Sequence, residues 1–500
     1  MMDSRQRVIK GSTLLFGGRA LAALCGVVVG VVLARALGPA SFGTYSVIAL
    51  CASYSGLLNL GLLSAANREV LILRGKGQVD RGDFVQNNAI VASLALALLV
   101  SVSLAAGATV VPESGDLRAV LSVLAVLYVL LTALLCFELR AWVEKKFLVI
   151  GRARVVEGVL RVVLLIGPAL AFGLHGVLVG LVLVQVALLG FMAWQVRLRF
   201  FPAWDHGELI RLLKIALAVF FDRVVEHGFR SVAYLIVMAL FTRREWGYYG
   251  LAFFAVWFLF SLMNESMAAV VPFMQERYGS VGTGQAIASY VVQPLRIFAC
   301  VAALIAGWVW LGVDVAVARL LPDYAPSAQL VKILVLNLWF LSIAMVLGAF
   351  LFTVNRQNVR LVCRVLALIV NLAAGLLLVQ MGYGLESVAV ASVLAGGTYA
   401  GLLTWVAARL LFEGRREFLS CARSVVGPMA YGLVIVGLCE LALGSWPQTI
   451  VTLAAKGLLF TAFFTPALVR LERETGVFAV VRDVLRTWAG GGRGGPVWER

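Results

Sequence analysis

The sequence predicts an all-α polytopic membrane protein. Its helices form two six-helix lobes around a central cavity, followed by a C-terminal helix pair. Three observations carry this. The 500 residues are 62% hydrophobic and 14% charged, where soluble domains run at about 25% charged. Apolar runs of helical length recur along the whole chain, each able to cross about 30 Å of hydrocarbon. Most of the 42 Lys and Arg fall in one alternating set of gaps between these runs, which is the positive-inside pattern of a many-pass protein.

About 14 transmembrane helices are expected by span length, near 12–34, 44–66, 87–111, 117–139, 153–173, 175–195, 211–240, 247–272, 288–311, 328–352, 360–380, 384–408, 421–442 and 447–469. An even number puts both termini on one side. Arg5, Arg7 and Lys10 precede the first span, and Arg470, Arg473, Arg482 and Arg486 follow the last. Both ends are therefore expected in the cytoplasm. Interior loops agree, with Arg74, Lys76 and Arg81 after span two and Arg140, Lys145, Lys146 and Arg152 after span four. The loop with Arg243 and Arg244 runs against the pattern.

The gap at 196–210 divides the chain. The expected domains are an N-terminal lobe at 1–200, a C-terminal lobe at 201–410, an additional pair at 411–488 and a disordered tail at 489–500, where glycines cluster. The first apolar run carries Arg19 and Arg35 and lacks a clean small-residue cleavage site, so it reads as a retained helix.

Composition excludes several classes. The formal charge of +16 sits in short loops and tails, where insertion and anionic lipid account for it, and no basic stripe is interleaved with exposed aromatics. No nucleic-acid partner is expected. The seven Cys are scattered and the three His are unclustered, so no metal and no bound cofactor are expected. No loop is long enough to house a soluble catalytic domain, and the chain reads as a non-enzyme.

Charge inside a span is the functional clue, because an ionised group at mid-bilayer costs about 3 kcal/mol on insertion scales. Span seven is densest. Asp222, Glu226 and Arg230 recur every four residues and share one helix face, with Arg223 and His227 beside them. As a stripe lining a wet cavity, Arg223 and Arg230 would hold an anion, and Asp222 or Glu226 would respond to a proton or sodium ion. As a structural network, the same groups would fix lobe packing. Arg19 in span one, Arg296 beyond Gln293 and Pro294 in span nine, and Glu265 beside Asn264 in span eight are further cavity candidates. Glu157 and Arg161 stand four apart and can satisfy one another, while Lys332 and Lys456 can snorkel or pair locally.

Arg35, Leu37, Gly38, Pro39, Phe42, Gly43 and Tyr45, then Asn59, Gly61 and Arg68, resemble the opening of the bacterial polysaccharide flippases. These are O-antigen and exopolysaccharide (Wzx-type) members of the multidrug/oligosaccharidyl-lipid/polysaccharide exporter superfamily. The resemblance implies two six-helix lobes and alternating access in the cytoplasmic (inner) membrane. It implies a polyprenyl-pyrophosphate-linked oligosaccharide as substrate, with membrane lipids, a polysaccharide polymerase and a chain-length regulator as partners of a monomer. The final helix pair looks like that of lipid II flippases. In those relatives Arg residues of spans one, two and eight line the cavity. Arg19 corresponds to the first, span two has no mid-span Arg, and span eight offers Glu265. Arg223, Arg230 and Arg296 then take the anion-binding role. The rival expectations are a lipid II-type flippase, a cation-coupled multidrug extruder and, more remotely, a membrane polymerase or glycosyltransferase.

Overall fold

The computed structural model describes residues 2–75, 77–110, 116–144, 146–198, 205–281, 283–412, 414–443 and 449–476. The tail expected to be disordered lies outside them. Every long element is helical. In hydrocarbon an apolar run must satisfy its own backbone groups, and a helix does so locally. The helices are α1 (Met2–Ser53), α2 (Ser55–Leu58), α3 (Leu62–Gly75), α4 (Val79–Val110), α5 (Asp116–Val143), α6 (Phe147–Gln195), α7 (His206–Leu240), α8 (Arg243–Val281), α9 (Ser289–Leu320), α10 (Ala325–Thr353), α11 (Gln357–Gln380), α12 (Gly384–Leu411), α13 (Arg415–Leu443) and α14 (Ile450–Thr475).

Two of these hold two spans each. In α1 the backbone leaves the helix at Gly38 (φ 68°, ψ 170°), and Pro39 starts the next segment. Only glycine takes that φ without strain, and proline suits a first helical turn. In α6 the break is at Gly173, as the expected boundary between spans five and six requires. Among the described residues, 11 stretches are long and apolar enough to cross a membrane. α7 is not one of them, because Asp222, Arg223, Glu226 and Arg230 interrupt its apolar run.

The second span differs from its expected form, a continuous helix over 44–66. α1 ends at Ser53, and the chain turns before α3 begins at Leu62. Leu60 (φ 51°) and Gly61 (φ 75°) both adopt left-handed backbone. The buried Asn59 side chain accepts the Gly61 N–H at 3.0 Å and holds the turn. Hydropathy does not register this break, since Leu57 to Leu63 are apolar apart from Asn59.

The contacts divide the chain into two compact units, Met1–Leu251 and Ala252–Arg500. In the first, α1 packs on α6, α4 on α3 and α5, and α7 on α3 and α4. α7 packs with helices that precede it in the chain. A core of Leu62, Ala66, Val70, Val85, Ala89 and Cys136 from α3, α4 and α5 takes in Leu212 and Ala216 of α7. In the second unit, α10 packs on α9 and α12, α11 on α12, and α13 and α14 on α9. Long apolar side chains such as Leu98, Leu99, Val102, Phe172, Leu441 and Leu458 are exposed, as lipid-facing surfaces are.

Candidate functional site

α7 is fixed at its start by polar contacts. The Asp205 side chain caps the helix by accepting from the Gly207 N–H at 2.8 Å, and the Asp205 N–H donates to Asn88 Oδ1 at 3.1 Å. Arg211 donates to Glu208 at 2.6 Å and to Glu69 of α3 at 3.0 Å. From there Leu212 and Ala216 go into the core, with the Ala216 carbonyl 2.8 Å from where a Cβ on Gly61 would sit.

The charged stripe follows. Asp222 lies about 24 Å along the helix by its rise per residue, near the middle of a 35-residue element. Asp222 is half-buried and Arg223 exposed. Glu226 and Arg230 form an ion pair along the helix, as their spacing allows. Their side chains keep 30% and 36% of their surface exposed, so the pair is not sealed in a packed seam of its own unit. On the neighbouring face the Tyr54 ring sits 5.4 Å from the His227 ring, and the Tyr54 and Ser231 hydroxyls share a hydrogen bond. Ser231 also donates to the His227 carbonyl at 2.7 Å. Tyr54 and Ser231 escape a charge-based reading of the sequence, since neither is ionised.

The other expected site residues are distributed as follows. Arg19 is in α1 and Glu265 in α8, but both side chains lie outside the described residues. Arg296 is in the second unit, where it meets Glu474 of α14 at 3.5 Å. Glu157 accepts from Arg154 at 2.9 Å and from Arg161 at 2.6 Å, and Lys332 and Lys456 pair with Asp314 and Glu440. Glu157, Lys332 and Lys456 are thus satisfied locally. Among the described residues no group of three or more His, Cys, Asp or Glu is placed to hold a metal ion.

Arg74 and Arg140, loop charges by sequence, belong to a polar cluster around Asp83. Arg140 of α5 is buried, and it donates to Asp83 at 2.8 Å, to Gln86 at 2.7 Å and to Glu144 at 2.6 Å. Arg74 of α3 joins the same Asp83 at 2.8 Å, which ties three helices together. The Gln86-Asn87-Asn88 run at the start of span three was the available signal. Desolvation works to raise the Glu144 carboxyl; the Lys146 hydrogen bond and the Arg140 charge outweigh it and hold the group below the ordinary carboxylate range. A carboxylate lowered in the folded state stabilises fully above its unfolded pKa of about 4, and that contribution is lost as pH falls through the folded value. The thermal midpoint of the purified protein should therefore drop as pH is lowered below about 4, and Glu144→Gln should flatten part of that drop.

The architecture and the α7 stripe can be set beside known proteins. A family model described as a polysaccharide biosynthesis protein matches residues 32–277. Among solved structures, the chain is similar to the lipid II flippase MurJ in an inward closed conformation. Identity is 12% and the TM-score 0.68, over 93% of this chain and 99% of that one. It is also similar to an inward-facing multidrug resistance MATE family transporter of the MOP superfamily, at 14% identity and a TM-score of 0.61 over 82% and 96%. A MOP superfamily transporter from Pyrococcus furiosus, its binding pocket described as reversed in polarity, aligns at 15% identity and 0.53 over 83% and 96%. No curated protein matches the chain. Likeness at these identities defines a fold: the chain is an all-α polytopic membrane protein that shares its helical architecture with these solved structures.

Proposed function

We propose that this chain is a non-enzymatic flippase that carries a polyprenyl-linked saccharide across the bacterial cytoplasmic membrane by alternating access, with both termini in the cytoplasm. The observation that carries the reading is the half-exposed charged stripe midway along α7. Arg223 and Arg230 contact the pyrophosphate, whose oxygens suit charge-assisted hydrogen bonds from guanidinium groups. Glu226 holds Arg230 until a proton or sodium ion neutralises the carboxylate, which releases the guanidinium to the anion. Asp222 is the second coupling group. Arg19 and Glu265 enter on their sequence positions alone. Translocation requires no covalent step.

Two substrate classes divide the support. The similarity to a lipid II flippase covers 93% of the chain and favours a lipid II-type precursor. The polysaccharide biosynthesis model over 32–277 favours an oligosaccharide precursor of a surface polysaccharide, with a polymerase and a chain-length regulator acting downstream. A cation-coupled multidrug extruder is the second reading, supported by likeness to a multidrug transporter. Proteoliposomes containing the purified chain separate them. Transbilayer movement of fluorescent lipid II or of a polyprenyl-pyrophosphate oligosaccharide is expected, driven by an imposed proton or sodium gradient. Efflux of cationic dyes with no movement of either lipid would overturn the flippase reading.

A further inference from the structure

α9, α13 and α14 each contain an internal proline: Pro294, Pro428 and Pro466. A proline removes one backbone hydrogen bond and bends its helix, which leaves room where helices would otherwise pack. A cavity of about 240 Å³ lies among these three helices, walled by Pro428 and Pro466 and lined by Arg296, Arg423, Arg470 and Glu474. Three guanidinium groups face one carboxylate, so the wall carries excess positive charge.

That charge is incompletely matched. Glu474 accepts from Arg470 at 2.8 Å and meets Arg296 only at 3.5 Å. The Arg296 Nε is buried without a hydrogen-bond partner, a costly state for a guanidinium donor. Arg423 is exposed, and among the described residues none pairs with it. An anion with several oxygens would satisfy these donors together.

Depth identifies the source of the anion. Arg296 sits about 10 Å from the start of α9 and Arg423 about 12 Å from the start of α13 by helix rise, while Arg470 and Glu474 are near the end of α14. All three helix ends lie on the side that the positive-inside pattern assigns to the cytoplasm, at headgroup level. The apolar Val426 of α13 and Val469 of α14 are exposed close by, a surface suited to acyl chains.

We propose that the α9–α13–α14 pocket binds the phosphate of a resident anionic phospholipid. The phosphate lies against Arg296 and Arg423, and Glu474 tunes the charge through Arg470. Arg296, expected from the sequence to face the transported pyrophosphate, thereby takes a separate role. Native mass spectrometry of the full chain in detergent, titrated with phosphatidylglycerol or phosphatidylcholine, tests this. Phosphatidylglycerol should be retained in preference to phosphatidylcholine. Replacing both Arg296→Gln and Arg423→Gln should weaken its retention about tenfold or more, since each basic group near the surface contributes to lipid attraction. Glu474→Gln should strengthen retention, a gain that misfolding does not produce.

Equal retention by the double variant, or weaker retention by Glu474→Gln, would overturn the proposal. Displacement of phosphatidylglycerol by an equal concentration of inorganic phosphate would mark a free-anion site instead. Preferential capture of polyprenyl phosphate would mark a cargo site. Retention is read without transport, so a failure here is separable from failure of the α7 reading.

Discussion

Replacing Arg223 and Arg230 together with Gln is expected to slow transbilayer movement of a polyprenyl-pyrophosphate saccharide about a hundredfold, with the protein still folded. The size follows from two charge-assisted hydrogen bonds at about 1.5 kcal/mol each or more, where 1.4 kcal/mol is a factor of ten. The Arg230 change alone also strips Glu226 of its partner in the ion pair, so loss of activity in that single variant has two explanations. A Glu226→Gln, Arg230→Gln variant separates them. It removes both charges and leaves none unpaired within the pair. If the stripe is only a packing network, this variant restores both thermal stability and translocation. If it handles the anion, stability returns and translocation does not. Full-rate movement by a folded Arg223→Gln, Arg230→Gln variant would remove the site altogether.

Gly43→Leu should destabilise the first unit by roughly 3 kcal/mol or more, at the upper end of overpacking effects. A Cβ at Gly43 would lie 2.5 Å from the Arg243 carbonyl oxygen and 2.8 Å from the Gly247 nitrogen. A Cβ at Gly247 would lie 1.9 Å from the Pro39 carbonyl oxygen. Both contacts are backbone on backbone, so no rotamer change relieves them. Small residues that let helices approach this closely are a common device of membrane packing. Gly56→Ala is the control, because a Cβ there meets nothing within 4 Å, and its effect should stay within about 1 kcal/mol. The readout is the thermal midpoint and protease resistance of the purified chain. A Gly43→Leu protein as stable as the parent would contradict the close approach.

The motif around Gly38 and Pro39 shows what a sequence pattern does and does not reveal. Residue identities at 35–45 indicated a resemblance and a chain break, and the break is present at Gly38. The reason for Gly43 was not legible, because its clash partner is some 200 positions away in the chain, on α8. Asn59 shows the same limit. It stood out as part of a resemblance, yet its work is to brace a turn that splits an apolar run. On α7 the four-residue spacing foretold the Glu226–Arg230 pair, since helical geometry alone decides it. Tyr54 beside Ser231 and His227 required knowledge of how the end of α1 meets α7.

The sequence by itself determined the all-α class, the long apolar helices and the loop charge pattern, because hydrocarbon leaves a backbone few choices and insertion sorts Lys and Arg by side. Only the tertiary structure decided which embedded charges meet. Arg140 finds Asp83 across α4 and α5, and Arg296 finds Glu474 across α9 and α14. Ion pairing falls off over a few ångströms, and separations that short between distant segments are set by helix packing, which no local pattern encodes.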